Sequence, residues 1–434
     1  MTTSSVSGSR TRRAFALAAA LFAVGCDQPQ PNLPTRGTGA APPRWLPAYS
    51  KAQLALLAPE GIRPRTPARR TYPDLTRFSY TRARKLEDPT QAMRFLRVVL
   101  SVIEDSPRVY LMGDAAPSLA NEIAQYGPTP PAEPDGLAVP GIGKDGEPAL
   151  VRPAGAEAAA REIDAATALV RGGKREAAIA TLRRATGRVR DVPGLFVELG
   201  NLLGQSDPRG AEEAFTQAIH VDASLSSAHL GLATMWLARG DRDAAQIAVA
   251  RAIALHPPSP RAQRIAALAA EADGPPRPAP IAIFLDVDVR GAVRAATDAS
   301  LPSRSYAGCR AIVRYEPEVR ALLHGEPGPY HLGVVEEVIC LEAAIGAYLV
   351  HRDGGAGAPE PIFEALYDIA REEGLTGYAM FEILGKHRPE RARLAPAPIH
   401  EAEVAYVLRH VLGAPGLGDS ARLAATQSED GSGR

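Results

Sequence analysis

The sequence is poor in cysteine, in aromatic residues and in net charge. Of its 434 residues only three are cysteines and 5% are aromatic, and 49 basic residues balance 49 acidic ones. A nucleic-acid-binding protein normally presents a basic face, so this balance argues against a nucleic-acid partner. The length still allows two or three domains, each with its own core.

Motifs for common active sites are also missing from the C-terminal region that begins at Ile281. This region has no glycine-rich phosphate loop, no G-x-S-x-G elbow, and no H-E-x-x-H or C-x2-C spacing. We therefore predict no cofactor and no metal site. Two weaker patterns leave an enzymatic alternative open.

The first weak pattern is a D-x-D formed by Asp286 and Asp288 after the apolar run 281–285. It resembles the start of haloacid-dehalogenase-like phosphatases. The resemblance implies Asp286 as nucleophile and Asp288 as acid/base beside a bound Mg²⁺, with a downstream lysine and a further acidic pair. Lys386 is the only later lysine, and none of the later acidic pairs matches the one that this family needs. The competing interpretations are a strand with solvent-facing aspartates and the start of a helix over Arg290–Ala296.

The second weak pattern is His400 and Glu403, which stand three positions apart in a helical stretch. This spacing places an imidazole and a carboxylate on one helix face, as in half of a metal site. The competing interpretation is a solvated first turn of a helix.

The N-terminus carries an export signal. Arg10, Arg12 and Arg13 precede an apolar run at 14–24. A basic segment followed by an apolar run of this length is typical of a secretory signal and is too short to span a bilayer. We assign residues 1–25 to this signal.

The end of the signal resembles the lipobox of bacterial lipoproteins, because Ala23, Val24 and Gly25 lead into Cys26. The resemblance implies that Cys26 is lipidated and becomes the first residue of a membrane-anchored protein. Residues 26–43 are rich in proline, glycine and threonine, which is typical of a disordered tether. Together these features predict an exported lipoprotein that faces the periplasm or the outer surface.

Lipidation of Cys26 would leave Cys309 and Cys340 as the remaining cysteines. Export would place both in an oxidising compartment. The sequence then allows either a disulfide between them or two buried free thiols.

The strongest pattern in the chain is an alanine repeat. Ala178, Ala211 and Ala245 are separated by 33 (211−178) and 34 (245−211) positions. A second alanine follows each by seven positions, and an apolar residue follows each by four: these are Ala185, Ala218, Ala252, Leu182, Phe215 and Val249. A period of this length predicts stacked helix pairs.

These repeats resemble the tetratricopeptide repeat (TPR), whose pattern is W-x2-L-G-x2-Y, then A-x3-F, then P. The middle copy reads Phe196-x2-Leu199-Gly200-x2-Leu203 and then Ala211-x3-Phe215. The resemblance implies an α-solenoid over 155–272 with a groove lined by the first helix of each pair. It maps five residues onto this groove: Val197, Asn201, Ser227, Leu230 and Thr234.

The remaining segments complete a mainly α protein. We predict a small helical region at 44–126, a linker at 127–154, a Pro-rich linker at 273–280, a separate mostly helical domain at 281–412 and a disordered tail at 413–434. Within the C-terminal domain, Cys309–Tyr315 reads as a short strand.

The leading functional hypothesis is a membrane-anchored scaffold whose TPR-type groove holds another envelope protein or a peptide segment. One alternative is a metal-dependent hydrolase in the C-terminal domain, to which the repeats recruit substrate. The other is a purely structural envelope lipoprotein.

Overall fold

The structure is a computed structural model and is mainly helical. It describes residues 106, 108–114, 136–144, 148–270, 277–287, 291–297, 300–317, 319, 330, 333–353, 360–385, 389–414 and 416–417. These residues belong to two compact units. The first takes the described residues within Pro130–Pro275 and Leu384–Arg434, and the second takes those within Pro34–Thr129 and Pro276–Ile383.

The first unit begins with a hairpin and continues with seven helices. Strands β2 (Val139–Ile142) and β3 (Pro148–Val151) pair antiparallel, with Val139 opposite Val151. The helices are α1 (Ala156–Arg171), α2 (Arg175–Arg188), α3 (Pro193–Leu203), α4 (Pro208–Val221), α5 (Ser226–Arg239), α6 (Arg242–Leu255) and α7 (Pro260–Ala269). Each of them packs on the next along the chain. The segment predicted as the linker 127–154 therefore contains a hairpin.

Local sequence explains where these helices begin and end. Asp207, Asp241 and Ser259 are N-caps of α4, α6 and α7, and each side chain accepts a backbone N–H from three residues ahead. Gly173 and Gly240 adopt φ values of +73° and +87° where the chain reverses between paired helices. Glycine takes this left-handed conformation without a steric penalty.

Small residues let the helices approach one another closely. The six repeated alanines are all buried: Ala178, Ala185, Ala211, Ala218, Ala245 and Ala252. The buried Phe215 ring lies against Gly200 of α3 and Gly231 of α5, where side chains would collide with it. Phe215 of α4 thus fills the space between successive helix pairs.

The second unit combines a small sheet with helices. Its sheet has the order β1 (Tyr110–Asp114), β5 (Val293–Thr297), β4 (Phe284–Val287). β1 runs parallel to β5, and β4 runs antiparallel to it. Its helices are α8 (Leu301–Tyr315), α9 (Val334–Asp353), α10 (Pro361–Arg371) and α11 (Leu375–Tyr378), the last continuing as a π-helix over Ala379–Gly385.

The prediction of a strand at Cys309–Tyr315 is wrong, because these residues form the second half of α8. Ser300 caps this helix by accepting the N–H of Ser303, and Pro302 lies in its first turn. The cap and the proline favour the start of a helix. Packing of this helix on α9 then outweighs the strand preference of its β-branched and aromatic residues.

Two side-chain links join α8 to α9. Cys309 and Cys340 are bonded as a disulfide, with their Cα atoms 5.3 Å apart. Beside it, the buried Arg310 guanidinium pairs with the Glu337 carboxylate, and the Tyr306 hydroxyl donates to the same carboxylate. Burial raises the pKa of Glu337, against the opposing effects of Arg310 and Tyr306.

The last described segment returns to the first unit. It consists of α12 (Pro389–Leu394), α13 (Ala397–Tyr406) and a π-helical turn over Val407–Val411. All three pack on α6, and α12 also lies on β3. The structure therefore divides the chain differently from the predicted domain at 281–412: the sheet and α8–α11 form one unit, and 389–414 joins the repeats.

Several predictions lie outside the described residues. These are the signal at 1–25, Cys26, the tether at 26–43, nearly all of the region 44–126 and most of the tail at 413–434. The part of 44–126 that is described includes strand β1 and so is not wholly helical. Among the described helices, none combines the length and the apolar character needed to cross a membrane.

Candidate functional site

Three of the five predicted groove residues offer no open surface. Val197, Leu230 and Thr234 are buried, and the Thr234 hydroxyl donates to the carbonyl of Leu230 in its own helix, at 2.8 Å. Asn201 and Ser227 are half-buried. The groove predicted on the first helices is therefore not open at Val197, Leu230 and Thr234. These three side chains lie in the interior of the first unit.

The segment just before β2 packs against the start of α3, the helix that carries Val197 and Asn201. The Gly194 N–H, at the start of α3, donates to the Gly136 carbonyl at 3.0 Å. A β-carbon on Gly136 would lie 2.7 Å from the Gly194 Cα, and Gly136 has φ = +70°. The backbone just before β2 thus packs directly on the N-terminal end of α3, where only glycine fits.

Arg393 binds to two other parts of the first unit. Its guanidinium bonds the Asp222 carboxylate at 2.6 Å and the Ala138 carbonyl at 2.9 Å, and its Nε lies 3.4 Å from the Ser224 hydroxyl. Both members of the Arg393–Asp222 pair have side chains only 2% exposed. One buried arginine therefore joins α12, the segment before β2 and the loop between α4 and α5.

The first helix pair keeps more open surface than the others. Ile163 and Thr167 of α1 are half-buried, and Val170 is 38% exposed. Their spacing places them on one face of α1. By repeat register, Ile163 and Thr167 correspond to Val197 and Asn201 on α3. A partner would find accessible apolar contacts at Ile163 and Val170, with polar groups on Thr167 and Asn201 beside them.

The structure buries Glu403 of the predicted pair and leaves His400 half-buried. His400 lies near Arg251 of α6 and His229 of α5, while Glu403 is completely buried. Burial, with a smaller effect of Arg251, lowers the pKa of His400 to about 4. Burial raises the pKa of Glu403 well above its usual value. At neutral pH, His400 is uncharged, and burial opposes the ionised form of Glu403.

Neither residue has found a hydrogen-bond partner for all of its polar atoms. Within the described part of the chain, His400 Nδ1 and both carboxylate oxygens of Glu403 make no hydrogen bond. The solvated helix turn given above as the alternative is thus wrong for Glu403, whereas His400 is half-buried. No group of three or more metal-ligating side chains occurs among the described residues, so the half-site gains no further ligand.

A charged pair holds α13 to the repeats next to His400. Arg251 binds the Glu401 carboxylate through two nitrogens, at 2.7 and 3.2 Å. Both side chains are largely buried. A two-point guanidinium–carboxylate contact fixes both distance and orientation.

The D-x-D pattern cannot be assembled into a site from the described residues. Asp286 lies in β4, opposite Arg294 in the β4–β5 register, and its side chain lies outside the described part of the structure. Asp288 and Lys386 are also outside it. Asp286 belongs to the second unit, and His400 and Glu403 belong to the first.

Sequence reasoning missed Arg393, Asp222 and Arg251. Asp222 follows α4 and Arg393 lies in α12, and the two are 171 positions apart. No local pattern marks such a pair, because its partners meet only when residues 389–414 return to the repeats.

Comparison with known proteins identifies no match for this chain. No family model, no curated protein and no solved structure matches it. Proposals about its function therefore depend on its own residues and geometry.

Proposed function

We propose that this protein is an exported, membrane-anchored scaffold in which α1–α6 form a TPR-type solenoid that binds another envelope protein. The observation that carries the proposal is the regular packing of three helix pairs around buried small residues. Gly200 and Gly231 against Phe215 illustrate the contact type that stacked repeats require. Residues 277–383 would belong to a separate domain.

The partner-binding face that fits best lies on the first helix pair. Ile163 and Val170 supply apolar contacts there, and the Thr167 hydroxyl and the Asn201 amide supply groups for hydrogen bonding. Such a face suits a helical or extended segment with mainly apolar side chains. The other predicted groove residues lie further along the array: the half-buried Ser227 and the buried Val197, Leu230 and Thr234.

Two features support the proposed location. The basic segment, apolar run and Cys26 have the order of a lipoprotein signal. The Cys309–Cys340 disulfide is buried, and disulfides of this kind persist in oxidising compartments and are rare in the cytosol. A lipid on Cys26 would place the folded units outside the cytosol, at a membrane surface.

Anchoring is tested by membrane fractionation of the full chain in its native cells. We expect the protein in the membrane fraction and Cys26→Ser in the soluble extract. A Cys26→Ser chain that remains with the membrane to the same extent would contradict the lipid anchor.

Partner binding is tested by site-specific photo-crosslinking in the same cells. A photoreactive residue at Ile163 or Val170 should give a discrete crosslinked product, and the same residue at the exposed Gln217 of α4 should not. Equal crosslinking from Gln217 would show that the α1 face has no special role. The hydrolase alternative gains no support from the described residues.

A further inference from the structure

We propose that an exposed basic face of α2 binds the anionic headgroups of the membrane in which the lipid on Cys26 is held. This inference rests on the membrane location proposed above, and it names the surface of the folded chain that would lie against the bilayer. It follows from the distribution of basic side chains over the repeats.

Basic residues are concentrated around α2, although the chain as a whole is neutral. Residues 171–191 contain seven basic and two acidic residues, whereas the whole chain has 49 of each. All nine are exposed apart from one half-buried arginine, Arg175. The basic residues are Arg171, Lys174, Arg175, Arg183, Arg184, Arg188 and Arg190, and the acidic ones are Glu176 and Asp191. The segment therefore presents a surplus of positive charge to the solvent.

Three of these arginines form one face of α2. Arg183, Arg184 and Arg188 lie within about 140° of one another around the helix axis. From position 180 to the end of α2, the other exposed residues are Ala180 and Gly187, which are small and uncharged. We call the surface formed by these five residues the α2 face. It is flat enough for all three guanidinium groups to reach the same planar surface.

Nearby carboxylates neutralise only part of this charge. Arg188 lies 2.6 Å from Glu162 of α1, and Arg183 lies 3.5 Å from Asp207, the N-cap of α4. The arginine side chains in these pairs are still 66% and 58% exposed, so water weakens both contacts. Arg184 hydrogen-bonds only to groups of its own helix among the described residues. All three guanidinium groups thus remain accessible to an anionic ligand.

The repeat register provides a comparison within the same protein. Arg183 and Arg184 of α2 correspond to Thr216 and Gln217, which are exposed on α4. The second helix of the next pair therefore has uncharged side chains where α2 has arginines. Stacking of the helix pairs depends on the buried small residues and does not require basic residues at these positions. The α2 face therefore needs an explanation other than packing.

The sequence between the proposed lipid and the repeats favours an anionic bilayer as the partner. Residues 63–85 contain eight basic residues and one acidic residue, and they follow Cys26 and the tether at 26–43. Clusters of about four to eight Lys or Arg residues beside a membrane anchor are typical of binding to anionic lipids. A lipid and a basic patch together act as two membrane signals in peripheral proteins. An acidic protein partner would not account for the basic stretch at 63–85.

The test measures binding to vesicles by the mature chain that begins at residue 26, with Cys26→Ser so that it carries no lipid. The vesicles consist of phosphatidylcholine alone or of phosphatidylcholine with about 30% phosphatidylglycerol. We expect the chain to bind mainly the anionic vesicles. Binding should weaken as the salt concentration rises, because ions screen charges at exposed surfaces. Sedimentation of the vesicles gives the partition coefficient.

A triple variant, Arg183→Gln, Arg184→Gln and Arg188→Gln, distinguishes the α2 face from residues 63–85. Its partition coefficient on anionic vesicles should fall by about a hundredfold, which corresponds to roughly fivefold for each arginine near the surface. The same three arginines replaced by lysine should bind as the wild type does, because the attraction depends on charge. If the triple glutamine variant does not fold, Arg184→Gln alone should lower the partition coefficient by about fivefold.

The matched control removes three exposed arginines from other helices of the first unit. It carries Arg209→Gln, Arg239→Gln and Arg264→Gln, on α4, α5 and α7. This control changes the net charge by the same amount and should keep most of the binding. Equal losses in the control and in the α2 variant would overturn the proposal. Equal binding of the wild type to neutral and anionic vesicles would also overturn it.

A photoreactive residue at Ala180 in the native cells distinguishes a lipid surface from an acidic protein. Crosslinking to phospholipid would support the proposal, and a discrete crosslinked protein would overturn it. Failure of vesicle binding would leave the lipid on Cys26 and the α1 face as they are proposed above. In the fractionation test of Cys26→Ser, a wash at about 1 M salt removes protein that is held by charge alone, so the result then reports on the lipid.

Discussion

Phe215 is the side chain on which the contact between the second and third helix pairs depends. Its buried ring faces the backbone of Gly200, where a β-carbon would lie 2.7 Å from the ring, and Gly231 approaches even more closely. We expect Gly231→Ala to lower the free energy of unfolding by about 1–3 kcal/mol, because an overpacked core must shift. Denaturant titration followed by circular dichroism measures this loss.

Gly187 is the matched control for that substitution. It lies exposed in α2, and a β-carbon there meets nothing within 4 Å. Gly187→Ala should therefore stabilise the protein by roughly 0.5–1 kcal/mol through helix propensity alone. Adding Phe215→Leu to Gly231→Ala should recover part of the loss, because leucine is smaller than the ring it replaces. A loss that Phe215→Leu does not reduce would contradict the packing argument.

Arg310 is a buried charged residue of the second unit. It is buried against Glu337, so Arg310→Met should leave a carboxyl group without its cation and cost about 3–5 kcal/mol. The exposed Arg188–Glu162 pair provides the comparison, and Arg188→Met should cost at most about 1 kcal/mol. Denaturant titration of both variants measures the difference. Equal losses would show that burial does not determine how much these ion pairs contribute to the free energy of unfolding.

At the scale of elements, local patterns predicted a mainly helical protein, but they did not predict contacts between residues that are distant in sequence. The alanine spacing marked residues that are buried between helices, and Gly173 and Gly240 marked chain reversals. The groove assignment failed at Val197 and Leu230, because repeat register gives the direction of a side chain and not what covers it. Arg393 lay beyond prediction for the same reason, since Asp222 reaches it only across the folded unit.

The helix pair α8–α9 allows a prediction about a covalent link. Cys309 and Cys340 are 31 positions apart in sequence, so their bond restricts a loop of that size in the unfolded chain. Replacing both by alanine should cost roughly 3–4 kcal/mol in the second unit, by the chain-entropy estimate. Hydrogen exchange should show the loss in α8 and α9 and not in α3–α6. Uniform loss over both units would contradict a local effect.

At the scale of the whole molecule, the chain alternates between the two units, because β1 belongs to the second unit and precedes the helices of the first. Strand β1 pairs with β5, although 183 positions separate Tyr110 from its partner Val293. Residues 389–414 likewise pack on helices from which residues 277–383 separate them in sequence. Hydrophobic periodicity along the chain predicts individual helices. It carries no information about which unit a returning helix joins, because the apolar face of α13 would suit either one.

This division predicts which unit loses stability when the C-terminal segment is removed. A chain that ends at Gly385 lacks Arg393 and Glu401, so it leaves the buried Asp222 without its cation and Arg251 without its carboxylate. We expect protection in α4–α6 to fall by the equivalent of about 3–5 kcal/mol. Protection in α8 and α9 should remain unchanged. Hydrogen exchange followed by mass spectrometry distinguishes the two sets of helices.

A chain that ends at Leu417 is the control for this truncation, because it keeps both ion pairs and should match the full-length protein in every helix. If the domain boundary predicted from sequence were right, residues 386–412 would instead support α8–α11. The shorter chain would then lose protection in the second unit while α4–α6 stayed intact. That outcome would restore the single domain at 281–412.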